Sequence, residues 1–179
     1  MRNVIFVAPF PMLTTMKFGT ALAGLQNIRL IGVFQSPPQR DLAQYFDHII
    51  VVENAMNVEP LYKTLKQIEN KFGRIYRLLG ILESLQEQLA VLRERFCIHG
   101  ILPPVARRFR DKGDMKDALI SAGVPCARHQ KVRTLKELWA FIDIVGFPVV
   151  LKPPAGAGCR ATYRVNNPMD MMTAMKEII

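Results

Sequence analysis

The sequence predicts an α/β chain in two parts: a parallel sheet wrapped on both faces over the first hundred residues, then a smaller α+β unit. Three observations predict it. Short runs rich in Val, Ile and Leu recur at Asn3 to Ala8, Ile28 to Phe34, His48 to Val52 and Ile75 to Leu82. Such runs are the signature of strands covered from two sides. After the later runs the apolar period becomes helical, at Val58, Leu61, Leu65, Ile68 and Phe72, and again at Leu85, Leu89, Leu92 and Phe96. Strands that alternate with helices need crossover connections, and crossovers make parallel sheets.

Each element has a local reason. Val4 to Val7 form a strand and not an export signal, because Pro9 and Pro11 interrupt the apolar stretch and no small-residue cleavage site follows. Ser84 with Glu87 offers a capping box for the second helix. Ile101 to Pro104 read as a connection, and a helix is expected over Asp114 to Ala122, with Met115, Ala118, Leu119 and Ala122 on one face. Gly123 and Pro125 end it. A strand follows near Arg128 to Val132. Thr134 and Glu137 then form a capping box for a helix carrying Leu135, Leu138, Trp139, Ile142 and Val145, which Gly146 ends. A strand over Phe147 to Lys152, a loop of small residues and a strand over Ala161 to Val165 come next. Asn167 as cap and Pro168 at the first helical position open the last helix. It reaches Ile178-Ile179 with no stop signal and reads as cut. These elements divide the chain into a Rossmann-like domain, residues 1–104, and an incomplete α+β subdomain, residues 105–179.

Composition removes other classes. Half of the 179 residues are hydrophobic and they are spread evenly, which excludes a disordered tail or a collagen-like repeat. No apolar run approaches the roughly 18 to 20 residues of a membrane-spanning helix. Cys97, Cys126 and Cys159 are odd in number and widely separated, so neither a disulfide framework nor a zinc site is indicated, and the cytoplasm is the expected compartment. The net charge is +9, and residues 93–133, with ten basic and four acidic groups, hold +6 of it. That excess centres on Arg107-Arg108-Phe109-Arg110-Asp111-Lys112. It reads either as a solvated helix face or as an anion site. Against nucleic acid stand the lone aromatic, Phe109, and the lack of any recognisable nucleic-acid motif. His48, His99 and His129 are isolated and read as structural or solvated. Glu83, where a strand hands over to a helix, sits at an edge where ligands gather, though an acid near a helix start is favourable in itself.

The first strand-to-helix turn reads Ala8-Pro9-Phe10-Pro11-Met12-Leu13 and lacks G-x-G-x-x-G, which argues against a nicotinamide or flavin dehydrogenase. The later segment Val149-Val150-Leu151-Lys152-Pro153-Pro154-Ala155-Gly156-Ala157-Gly158-Cys159-Arg160 lies between two expected strands, so it forms a hairpin-like flap. Its small residues leave backbone N–H groups free to meet oxyanions, and Lys152 offers a point charge at the strand's end.

Asp111-Lys112, Met115-Lys116, Ala122-Gly123-Val124-Pro125 and Gly146-Phe147-Pro148-Val149-Val150-Leu151-Lys152-Pro153 with the flap, in that order, resemble the ATP-grasp superfamily. The likeness runs over residues 105–165 and is greatest to the biotin carboxylase and carbamoyl-phosphate synthetase branch. The preceding hundred residues then look like the pre-ATP-grasp domain. The resemblance implies that Lys112 and Lys152 contact nucleotide phosphates, that Val150 touches the adenine, and that Gly156 and Gly158 belong to the flap over the phosphates, with Arg160 at its far end. The chain departs from the pattern at Ala155, Ala157, Cys159 and Ala161, where several members have glycine. The resemblance further implies an ATP-dependent ligase that activates a carboxylate as an acyl phosphate for attack by an amine or other nucleophile. Magnesium would be held by acidic residues in a second half that lies outside this sequence, so the fragment alone is expected to be inactive. Its partners would be ATP, the two small-molecule substrates, the rest of its own chain and, in a homodimer, a second copy. The alternatives are a non-catalytic nucleotide-binding or interaction module and, with less in its favour, a basic nucleic-acid-binding domain.

Overall fold

A computed structural model describes residues 1–156, 158 and 161–178. It divides into two compact units, Met1–Ala106 and Arg107–Ile179. In the first unit, four parallel strands lie in the order β3-β2-β1-β4: β1 (Arg2–Ala8), β2 (Ile28–Phe34), β3 (His48–Val51) and β4 (Ile75–Leu79). Strand β1 pairs with β2 without a break, from Arg2 opposite Ile28 to Ala8 opposite Phe34.

The central strands are apolar throughout because successive side chains serve opposite cores. On one face Ile5, Val7, Ile31 and Val33 pack with Leu61, Leu65 and Ile68 of α3 (Val58–Phe72) and with Leu89 and Leu92 of α4 (Gln86–Arg95). On the other, Val4, Phe6, Ala8, Leu30 and Phe34 pack with Phe46 and with Met16 of α1 (Leu13–Ala23). A short helix, α2 (Arg40–Ala43), precedes β3. Asn57 caps α3 by accepting from Glu59 N, and Gly73 closes it at φ 87°, a left-handed conformation open to glycine without a Cβ clash. The buried Asn3 side chain ties this helix end to the sheet, donating from Nδ2 to the carbonyls of Phe72 (2.8 Å), Gly73 and Arg74 (both 3.1 Å). Arg93 is also buried, and its Nε and Nη2 both donate to the carbonyl of Leu78.

Three expectations for this unit are corrected. β3 stops at Val51, one residue early. β4 stops at Leu79, because the chain turns at Gly80, where an added Cβ would lie 2.8 Å from Leu89 Cδ1 and 2.9 Å from Val7 O. Ser84 caps nothing: it sits inside a 3-10 turn, Glu83–Leu85, that runs directly into α4. A capping box needs its serine at the helix boundary, and the boundary has moved upstream.

The division between the units falls within α5 (Pro103–Arg110), where the sequence suggested that Ile101 to Pro104 only connect. Prolines fit its first turn because the N–H they lack has no intrahelical partner there. In the second unit α6 (Lys112–Ser121) starts two residues earlier than expected, because Asp111 caps it. The segment Arg128 to Val132 forms no strand. It has no strand partner among the described residues and is held by side chains, as Lys116 Nζ donates to Ala127 O (3.1 Å) and His129 Nε2 meets Asp117 Oδ1 (3.1 Å). Helix α7 (Leu135–Val145) carries the expected capping box, with Glu137 N donating to Thr134 Oγ1 and Thr134 N to Glu137 Oε2. The last two strands pair antiparallel and are shorter than expected, β5 (Val149–Leu151) and β6 (Tyr163–Val165). Asn167 Oδ1 accepts from Met169 N and Asp170 N to cap α8 (Pro168–Ile178). Leu138, Ile142, Val149, Val165, Met171 and Ala174 form this unit's core. Among the described residues no helix is long and apolar enough to cross a membrane.

Candidate functional site

Along β5 the alternation of a strand separates structural from available side chains. Val149 enters the core at 9% exposure, whereas Val150 is 54% exposed. Lys152, two residues on and just past the strand, continues the row that Val150 begins. Lys112, at the start of α6, completes the group, and Lys112, Val150 and Lys152 line one hollow of about 150 Å³. A larger hollow of about 560 Å³ shares Val150, Lys152 and His129 with it. The wall of a third, mostly apolar one of about 670 Å³ also includes Lys152.

The flap is fastened to Lys112 through carbonyl groups. The Lys112 N–H donates to Pro154 O at 2.9 Å, its Nζ donates to Gly156 O at 2.6 Å, and Arg110 Nη1 donates to the same Gly156 oxygen at 3.4 Å. Gly158 stands at φ 62°, so glycine's conformational freedom is used there. Ala161 is also left-handed, φ 50°, and a residue with a Cβ holds that conformation at a cost of about 1 kcal/mol. Arg160 lies outside the described residues, as do Ala157 and Cys159.

Two further residues complete the hollow that the sequence reading did not place there. Lys131 Nζ bonds Asp111 Oδ1 at 3.0 Å and also the Asp114 carboxylate, while Asp111 Oδ1 caps α6 by accepting from Gly113 N (2.8 Å) and Asp114 N (3.0 Å). Burial alone would raise the Asp111 pKa, but the Asp114 N–H, the Lys131 ammonium and the Gly113 N–H together hold it below the ordinary carboxylate value. Its hydrogen bond to Asp114, then that to Asp111, raises the pKa of Lys131. His129, read as isolated, lines both of the first two hollows; its Nε2 pairs with Asp117 and its buried Nδ1 has no partner among the described residues. No local spacing marks the lysine, because Lys131 and Asp114 are 17 residues apart and only folding joins them.

Lys131's charge is answered by two carboxylates, and Lys152 has no acidic partner among the described residues. The hollow therefore presents cationic groups beside an exposed valine, an arrangement suited to an anion attached to a flat apolar body. Among the described residues no three His, Cys, Asp or Glu side chains gather into a group that could hold a metal ion.

No family model matches the chain. Sixty residues are 37% identical to alanine–anticapsin ligase of Bacillus subtilis (strain 168), a stretch amounting to 34% of this chain and 13% of that one. Among solved structures, an L-amino acid ligase from Bacillus licheniformis superimposes at a TM-score of 0.76 and 14% identity, over 99% of this chain and 42% of the other. N5-carboxyaminoimidazole synthetase from Staphylococcus aureus, solved with ADP, gives 0.77 and 17%, over 99% and 44%. The chain has the fold of the N-terminal part of ATP-grasp ligases. The biotin carboxylase domain of 2-oxoglutarate carboxylase from Hydrogenobacter thermophilus, in complex with MgADP, ADP and bicarbonate, shares that ATP-grasp fold at 0.77 and 16%, over 98% and 40%. The chain thus spans less than half the length of each of these ATP-grasp neighbours.

Proposed function

We propose that this chain is the nucleotide-binding N-terminal part of an ATP-dependent ligase, which activates a small-molecule carboxylate as an acyl phosphate for attack by an amine or other nucleophile. The observation that carries this reading is the meeting of Lys112, Val150 and Lys152 around one hollow, from elements separated by some 40 residues of sequence. The fold supports it, as do the neighbours solved with ADP. In this reading residues 1–104 are the pre-ATP-grasp domain and residues 105–179 the first subdomain of the nucleotide-binding fold.

The roles follow from charge and shape. Lys152 is the fixed cation for a nucleotide phosphate. Lys112 is a second, which exchanges the Gly156 carbonyl for phosphate oxygen when nucleotide arrives. Val150 offers apolar surface to the base. Gly156 and Gly158, with Arg160 beyond them, form the flap. Such groups hold a polyanion and stabilise the charge that shifts as the γ-phosphoryl group moves. In this reading the metal ligands, the acceptor pocket and the activity itself belong to the rest of the polypeptide, and no step here runs through a metal.

The test is the ATP affinity of the complete polypeptide with and without Lys152→Ala. Loss of one charge-assisted contact, about 1.5 to 3 kcal/mol, should raise Kd at least tenfold. Equal affinities would overturn the assignment.

A further inference from the structure

Resting on that reading of the hollow, we infer that Lys131 is a positioning residue for Lys112: it offsets one of the two negative charges that flank Lys112 and clamps the first turn of α6 that carries it. Asp111 and Asp114 bracket Lys112 in sequence, and both bond the Lys131 ammonium. Without that ammonium, two negative charges would stand within a turn of the proposed phosphate ligand. They would repel the incoming phosphate and compete with it for the Lys112 ammonium. The fold also makes room for the clamp. An added Cβ at Gly113 would lie 2.3 Å from Lys131 Cε and 3.1 Å from its Cγ, so the lysine stem crosses the helix start and a larger residue there would push it aside.

Geometry separates the three lysines of the hollow into two kinds. Lys131 is saturated by carboxylates, so its charge is spent on the protein. Lys152 has no acidic partner among the described residues, and Lys112 is held by a neutral carbonyl that a phosphate can replace. A nucleotide therefore meets two available cations beside a helix start whose carboxylate charge Lys131 has halved.

The experiment is ATP titration of the complete polypeptide carrying Lys131→Met, Lys131→Arg, Lys131→Met with Asp114→Asn, or Gly113→Ala, beside Lys152→Ala. Lys131→Met should weaken ATP binding about tenfold, and removing the stranded Asp114 charge in the double variant should recover most of that loss. Lys131→Arg, which keeps the charge, should stay within about threefold of the parent. Gly113→Ala, which displaces the lysine but retains it, should weaken ATP binding as well. A purely structural role for the stem predicts no recovery in the double variant, and that result would overturn the inference. So would unchanged binding in Lys131→Met while Lys152→Ala weakens it. If Lys152→Ala too leaves binding unchanged, the nucleotide reading itself falls, and this inference with it.

Discussion

Replacing Asp111 by alanine removes the cap of α6 and one partner of Lys131 in a single step. Its Oδ1 accepts from two N–H groups, at 2.8 and 3.0 Å, and from the lysine at 3.0 Å. Loss of a helix cap costs about 1 kcal/mol, and the half-exposed ion pair adds at most about 1 more, the lower part of that range because Lys131 keeps Asp114. The expected destabilisation of the second unit is therefore about 1 to 2 kcal/mol. Trp139 is the chain's single tryptophan and lies on α7, edge-on to Phe147 with ring centroids 6.5 Å apart, so its fluorescence in urea follows this unit specifically. With a denaturant slope of about 1 kcal/mol/M, the midpoint should fall by about 1 to 2 M. Asp111→Asn, which keeps an acceptor and loses only the charge, should lose about half as much. The pH dependence has a definite sign. Folding lowers the Asp111 pKa, so its contribution is complete above the ordinary carboxylate value and is lost as pH falls through the folded one. Parent and Asp111→Ala should thus converge in acid. A midpoint shift below about 0.3 M near neutrality, or a gap that widens in acid, would refute the reasoning.

Three other changes test other parts of the chain. Arg93→Ala strands the Leu78 carbonyl and should cost about 2 kcal/mol, read as a fall of roughly 8 to 16 °C in the melting of the first unit by circular dichroism. Gly32→Ala would place a Cβ 2.3 Å from Phe34 Cε2 and 2.8 Å from Phe46 Cδ1, and overpacking there should destabilise the first unit by about 1 to 3 kcal/mol in the same melt. Lys112→Met removes the ammonium from Gly156 O, so amide hydrogen exchange of Ala155 and Gly156 should quicken several-fold in the absence of nucleotide, with α7 unaffected.

What could be read in advance was what is encoded locally. The Thr134 and Glu137 box and the Asn167 cap are visible as spacing because donor and acceptor lie within one turn. β1 and β2 are visible because strands buried on both faces have no polar alternation to disguise them. The same locality misled at Ser84, where the spacing is right but the helix boundary lies elsewhere, and at Arg128 to Val132, where a strand-like run found no strand to pair with. Lys112, Val150 and Lys152 could be singled out by their place in an ordered set of motifs, and the structure brings them to one hollow.

The sequence by itself determined the alternation of strands and helices, the caps at Thr134 and Asn167 and the residue types available to an anion, since each depends on neighbours a few positions away. The tertiary structure decided the strand order β3-β2-β1-β4, the hold of Lys112 on the Gly156 carbonyl and the pairing of Lys131 with Asp111 and Asp114. Those contacts join distant parts of the chain, and no local spacing specifies them: they exist only once the folded backbone has brought those parts together.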